Sequence, residues 1–299
     1  MSHFTVLVIG ENPEAQLAPY HEFECTGVVD EFVQSVDVTQ HARDKYREHG
    51  KDQNFEEFVR SWFGLRPIKA GATPDLHGDQ KYGWYEVNDK GGVVKVVRRT
   101  NPNAKWDWYV LGGRWTGFFK LKEGREGVVG EPGILTEPPP HGYVDQAFKG
   151  DIDFEAMREK AAEGARKDYE EFEVALKGRE PPPRFAEFRK NYEDVEEARK
   201  AYWELPVVKD LQKAGKMPFF SDVNDIYGCG KEKFIERARL GAVTTFAFIK
   251  DGVWHEQGEM GWFGITKNEK DEDEWLREFN RVLDSLPDDT LLSVYDCHI

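Results

Sequence analysis

The sequence predicts an α+β protein: a mostly antiparallel sheet covered by helices, with a charged helical hairpin inserted into it. Three observations predict it. The last sixty residues read as a β-hairpin, a helix and a strand: 242–249 and 253–257 flank the turn Lys250-Asp251-Gly252, 271–284 carries acids in its first turn, and 290–299 follows Pro287. Residues 151–204 change character, with 16 acids and 11 bases on two helical patterns broken at Gly178 and Pro181-Pro182-Pro183. The stretch Lys105-Trp106-Asp107-Trp108-Tyr109-Val110-Leu111-Gly112-Gly113-Arg114-Trp115 packs four large aromatics, an acid, two bases and a Gly-Gly pair into strand-forming sequence.

These observations divide the chain into residues 1–150 and 205–299, two parts of one sheet domain, around the insertion 151–204. Residues 4–9 form a first strand, apolar on both faces. Gly10 follows it, but Pro13 and the absence of GxGxxG argue against a dinucleotide turn. Residues 39–49 and 54–63 read as helices. Thr39 is the expected N-cap of the first and Gly50 its stop, while Phe55, Phe58, Val59 and Trp62 make a core face on the second. Strands at 82–87 and 93–98 enclose Asp89-Lys90-Gly91-Gly92, a hairpin signal, and 100–103 turns the chain into the Trp-rich stretch, completing an antiparallel meander.

In that stretch Gly112-Gly113 is expected to be a two-residue turn, with 114–121 returning as the partner strand. Alternation then points Trp106, Trp108 and Val110 one way and Asp107, Tyr109 and Leu111 the other. The expected insertion follows: one helix capped by Asp153 and running to about 177, and a second over 185–203, with charges on solvated faces. Shorter helices are expected at 207–214 and 231–240, separated by a loop at 221–230.

The formal charge is −15 and the sequence pI about 5.1. A chain so acidic is a poor general binder of nucleic acid, whose phosphates need Lys and Arg; it suits a basic protein partner better. Cys25, Cys229 and Cys297 are too sparse for a disulfide framework and imply a reducing compartment, hence a cytoplasmic location. No apolar run is long enough for a membrane span.

Two readings of the aromatic stretch stay open. Its indoles fill a core, or they form a platform on which Trp106, Asp107, Trp108, Tyr109, Arg114 and Trp115, with Trp262 from the similar stretch 254–264, bind a planar ligand while Arg114 holds its phosphate or carboxylate. If the two Trp-rich stretches face each other, Asp107, Arg114, His255 and Glu256 rim one cleft. At the C-terminus, Asp296 and His298 share a strand face, and with His255 or Glu256 they are the candidate acid–base or metal-ligating groups. The sequence identifies no cofactor and no complete metal set.

The opening Met1-Ser2-His3-Phe4-Thr5-Val6-Leu7-Val8-Ile9-Gly10, the Trp106-Asp107-Trp108-Tyr109-x-x-Gly112-Gly113-Arg114-Trp115 core, Glu259-Met260-Gly261-Trp262-Phe263-Gly264 and the ending Asp296-Cys297-His298-Ile299 resemble a family of uncharacterised proteins of bacteria and their phages. The resemblance carries over no catalytic residue. It implies a phage or prophage setting, in which small acidic proteins antagonise host defences. The expected function is therefore a soluble binding protein that captures a nucleotide-like ligand in a Trp/Arg cleft or blocks a host defence protein. One alternative is a hydrolase or transferase acting on a phosphoester or glycosidic bond. The other is an assembly protein that self-associates through 151–204.

Overall fold

The strand Leu291–His298 is buried along nearly its whole length and forms the middle of the main sheet. The computed structural model describes every residue except 1, 23–30, 135, 220 and 262–264, and its mixed sheets and helices make the α+β fold the sequence predicts. On one side Leu291–His298 runs antiparallel to His3–Ile9, from His3 opposite His298 to Ile9 opposite Leu292. On the other side it pairs with two strands in succession, Gln146–Phe148 at its beginning and Trp108–Gly113 at its end. Beyond His3–Ile9 lie Ala247–Lys250, parallel to it, and then Val253–Glu256.

Strand alternation gives the sheet two different faces. Leu7, Ile9, Phe248, Leu292 and Val294 pack under the helix Glu272–Ser285, through Trp275, Phe279 and Leu283. Phe4, Val6, Val8, Tyr295 and Cys297 pack on the opposite face against Leu17 and Trp106. The helix begins where the sequence predicts: Asp271 accepts hydrogen bonds from the Asp273 and Glu274 backbone N–H groups, and three acids fill the first turn.

The expected meander is not one sheet. Gln34–Asp37, Val93–Thr100, Gly83–Val87 and Arg66–Lys69 form a separate four-stranded sheet, roofed by Thr39–His49 and Phe55–Phe63 over Ala42, Val59, Tyr85 and Val96. Asn54 and Glu57 form a capping box on the second helix. Thr39 is not an N-cap but the first helical residue, because its backbone N–H and hydroxyl both donate to Asp37. Trp62 leaves the expected core face and stacks in the open on His49.

The expected Gly112-Gly113 hairpin does not form. Both glycines end the strand Trp108–Gly113 with positive φ, and Phe119–Lys120 pairs instead with Tyr143–Val144. The reason is close packing. A Cβ at Gly112 would lie 2.6 Å from an Asp145 carboxylate oxygen, and one at Gly113 would lie 2.4 Å from the Asp296 Cβ. Asp145, fully buried, accepts hydrogen bonds from the Thr116 hydroxyl and from the backbone N–H groups of Gly117, Phe118 and Gly130. One carboxylate thus ties two segments of the loop, 116–118 and Gly130, to the sheet.

The helix Phe154–Leu176 starts at its Asp153 cap as expected. The second expected helix is broken into Phe185–Phe188 and Val195–Glu204, the latter newly capped by Asp194. The acids of the long helix lie on solvated faces, as the sequence predicts, and from there they hold bases of neighbouring elements. Glu155 and Glu159 hold Arg239, Glu170 and Glu173 hold Lys231, and Asp168 and Glu171 hold the nearly buried Lys216. Tyr227 also donates to Asp168, and burial with that carboxylate raises the phenol's pKa to about 12. Among the described residues no helix is long and apolar enough to cross a membrane.

Replacing Asp145 with Ala leaves buried N–H donors without an acceptor, and is expected to cost about 3 kcal/mol or more in urea unfolding. A loss below about 1 kcal/mol would show that water replaces the carboxylate.

Candidate functional site

The sequence-predicted residues divide between two faces of the sheet because the chain bends at Asp107. Trp106 lies before the strand, makes a single bridge with His21, and belongs to the buried aromatic face with Tyr109 and Tyr295. Trp108 sits opposite His298 and therefore projects on the other face, half exposed. The expectation that Trp106 and Trp108 point the same way is thus corrected.

Trp106, Asp107, Trp108 and Tyr109 nevertheless line one recess of about 430 Å³, with Glu14, Ala18 and His21 as its other walls. His21 stacks on Trp106 at 4.4 Å and Tyr109 meets the same indole edge-on. Trp106 is only 4% exposed, and its Nε1–H is buried with no hydrogen-bond partner among the described residues. A second recess, of about 500 Å³, shares Asp107 as a wall and contains Tyr82, Arg98, Arg99 and Thr100.

Asp107 also joins these recesses to a histidine pair. Its Oδ1 lies 2.6 Å from His298 Nδ1. On the neighbouring strand His3 Nδ1 lies 2.8 Å from Asp296 Oδ1, whose other oxygen accepts the Arg114 backbone N–H at 3.0 Å. The two rings meet edge-to-face with centroids 4.9 Å apart, and Trp108 packs edge-on against His3. Each imidazole is thus oriented by a carboxylate at Nδ1, and neither Nε2 has a protein hydrogen-bond partner among the described residues. Both rings remain partly open to solvent.

Asp296 and His298 do share a face as expected, but each pairs with a residue from elsewhere. His255 and Glu256 do not join them. His255 stacks on Phe248 at 4.5 Å under the C-terminal helix, where burial lowers its pKa. Glu256 faces the other way, holding Lys105 at 2.6 Å and accepting from Trp254 Nε1. Among the described residues no group of three or more His, Cys, Asp or Glu is arranged to hold a metal ion. Arg114 contributes its backbone N–H and leaves its side chain exposed outside both recesses. Trp115 also stands outside them, and Trp262 lies outside the described residues. Among the described residues the two Trp-rich stretches share a recess of about 170 Å³, between Lys105, Trp254, Glu256 and Met260, that contains neither Asp107 nor Arg114.

Sequence reasoning missed His3, Glu14 and Arg98. His3 had one legible signal: a polar ring beginning an otherwise apolar central strand. Cys297, whose reactivity the sequence leaves open, is fully buried and burial pushes its thiol well up, so it is inert. Comparison with protein-family models, curated proteins and solved structures finds no match.

Two substitutions separate core from site. Trp106→Ala is expected to destabilise by about 3–5 kcal/mol, whereas the half-exposed Trp108→Ala changes stability by about 1 kcal/mol or less. Thermal unfolding decides; equal losses would make Trp108 a core residue.

The half-buried His255 gives a pH test. Its folded pKa lies below the ordinary value of 6.5, so its contribution is full above 6.5 and is lost as pH falls through 6.5 toward the folded value. His255→Phe should therefore lose less stability than the parent between pH 7 and 5 in urea unfolding; an equal loss refutes the assignment.

Proposed function

We propose that this protein binds a planar, nucleotide-like ligand in the recess between Trp106 and Trp108. The observation that carries the reading is Trp106, a wall of the aromatic recess whose Nε1–H is buried without a partner among the described residues. A donor removed from water and left unbonded costs free energy, and a ligand acceptor recovers it. Ring nitrogens and carbonyls of a base are such acceptors.

The walls divide the ligand's chemistry. His21 already covers a face of Trp106, so the half-exposed Trp108 offers the free aromatic surface for stacking. Glu14 and Asp107 are acceptors suited to amino groups of a base or hydroxyls of a sugar, and they repel phosphate. The phosphate belongs in the adjoining recess, where Arg98 and Arg99 supply positive charge. Arg98 thus takes the role that the sequence reading gave to Arg114. A chain with a charge of −15 suits capture of one small ligand at a local cation better than tracking of a nucleic-acid backbone. Capture of a host nucleotide fits the phage or prophage setting implied by the resemblance.

Isothermal titration with adenosine 5′-monophosphate is expected to show saturable binding. Trp108→Ala should weaken it by about tenfold or more, as loss of one base–aromatic stack does, with the unfolding temperature nearly unchanged. The absence of saturable binding for any common nucleoside monophosphate, or full affinity in the Trp108→Ala variant, would refute the reading.

A further inference from the structure

The histidine pair is more than the binding recess requires. Two imidazoles from adjacent strands are in contact, each held at Nδ1 by a different carboxylate, and each has Nε2 free of protein partners among the described residues. A ring that donates Nδ1–H to a carboxylate presents the Nε2 lone pair when neutral and Nε2–H when protonated, the forms of a general base and a general acid.

We propose that the protein hydrolyses a phosphodiester of the nucleotide class that it binds, with His3 and His298 as the acid–base pair and Asp296 and Asp107 as their positioning residues. This inference rests on the reading of the Trp106–Trp108 recess as a nucleotide site. The neutral imidazole removes a proton from water as the water oxygen bonds to phosphorus. The bond from phosphorus to one ester oxygen breaks, and that oxygen takes the Nε2 proton of the other, protonated ring. The products are a phosphomonoester and an alcohol. The rings end with their protonation states exchanged and reset by proton transfer with solvent, so no oxidant or reductant is involved.

One feature favours a diester over a terminal phosphate. Asp107 is a wall of both recesses, of about 430 and 500 Å³, so a substrate that passes Asp107 can carry a group on each side of its phosphorus. The histidine pair adjoins these recesses through Asp107, which holds His298, and through Trp108, which packs against His3. The groups facing the pair are Asp107 on His298 and Asp296 on His3, with Trp108 against the His3 ring.

The test uses the full chain with bis(4-nitrophenyl) phosphate and adenylyl-(3′→5′)-adenosine as substrates. Both should be hydrolysed, and His3→Gln and His298→Gln should each lower kcat by about 100-fold or more. The solvent-facing His141→Gln should leave the rate unchanged. Asp107→Asn should lower kcat with little change in KM and move one limb of the pH–rate profile, a change that a merely structural role would not produce. Asp107 is nearly half exposed, so this variant remains a test even if His3→Gln fails to fold. Protein that binds adenosine 5′-monophosphate but leaves both diesters intact overturns the hydrolase and spares the nucleotide site. Hydrolysis undiminished in both histidine variants overturns the assignment of the pair. Failure to bind the nucleotide overturns the site reading itself.

Discussion

A carboxylate buried without a cation would normally be intolerable, and the satisfaction of Asp296 organises this molecule. Asp296 is 1% exposed in the central strand. One oxygen accepts the Arg114 N–H, and the other pairs with His3 Nδ1. The first bond requires the chain leaving Trp108–Gly113 to fold close over the C-terminal strand, which only a residue without Cβ permits at Gly113. The second fixes the ring of His3. One buried acid therefore joins the first strand, the last strand and the Trp-rich stretch at the edge of the site.

Asp145 does the same for the loops. It approaches Gly112 as Asp296 approaches Gly113, and gathers three backbone N–H groups and a hydroxyl around itself. The Gly-Gly pair lies between two buried carboxylates. Their demand for donors sets the path of the chain from 112 to 130, and so sets where Trp108 and Asp107 are presented. The helical layer contributes stability of a different kind. Its ion pairs are mostly exposed and individually weak, but Lys216, enclosed by Asp168, Glu171 and Tyr227, is a buried fastening point.

Local rules made much of the fold legible. The double-faced burial of His3–Ile9, the Asp153 cap, and the hairpin–helix–strand order of the C-terminus all depend on neighbouring residues. The common face of Asp296 and His298 followed from strand alternation alone. What sequence could not carry was the choice between two uses of the same residue type. Gly112-Gly113 suits a tight turn and a close approach equally well, and the choice depended on Asp145 and Asp296, both remote in sequence. His3 meets Asp296 across 293 residues, and Asp107 meets His298 across 191. Trp106 and Trp108 have the spacing of one strand face, but the strand begins only at Trp108.

The proposed function turns on a planar ligand received at the Trp106 indole, which has no partner among the described residues. The most direct measurement is the Trp106 indole N–H resonance in ¹⁵N-labelled protein titrated with adenosine 5′-monophosphate, assigned through a Trp106→Phe variant. The claim predicts that this resonance moves downfield and saturates with ligand, as a free donor gains an acceptor. A resonance that stays in place while the nucleotide binds elsewhere, or that shows no response at all, would contradict it.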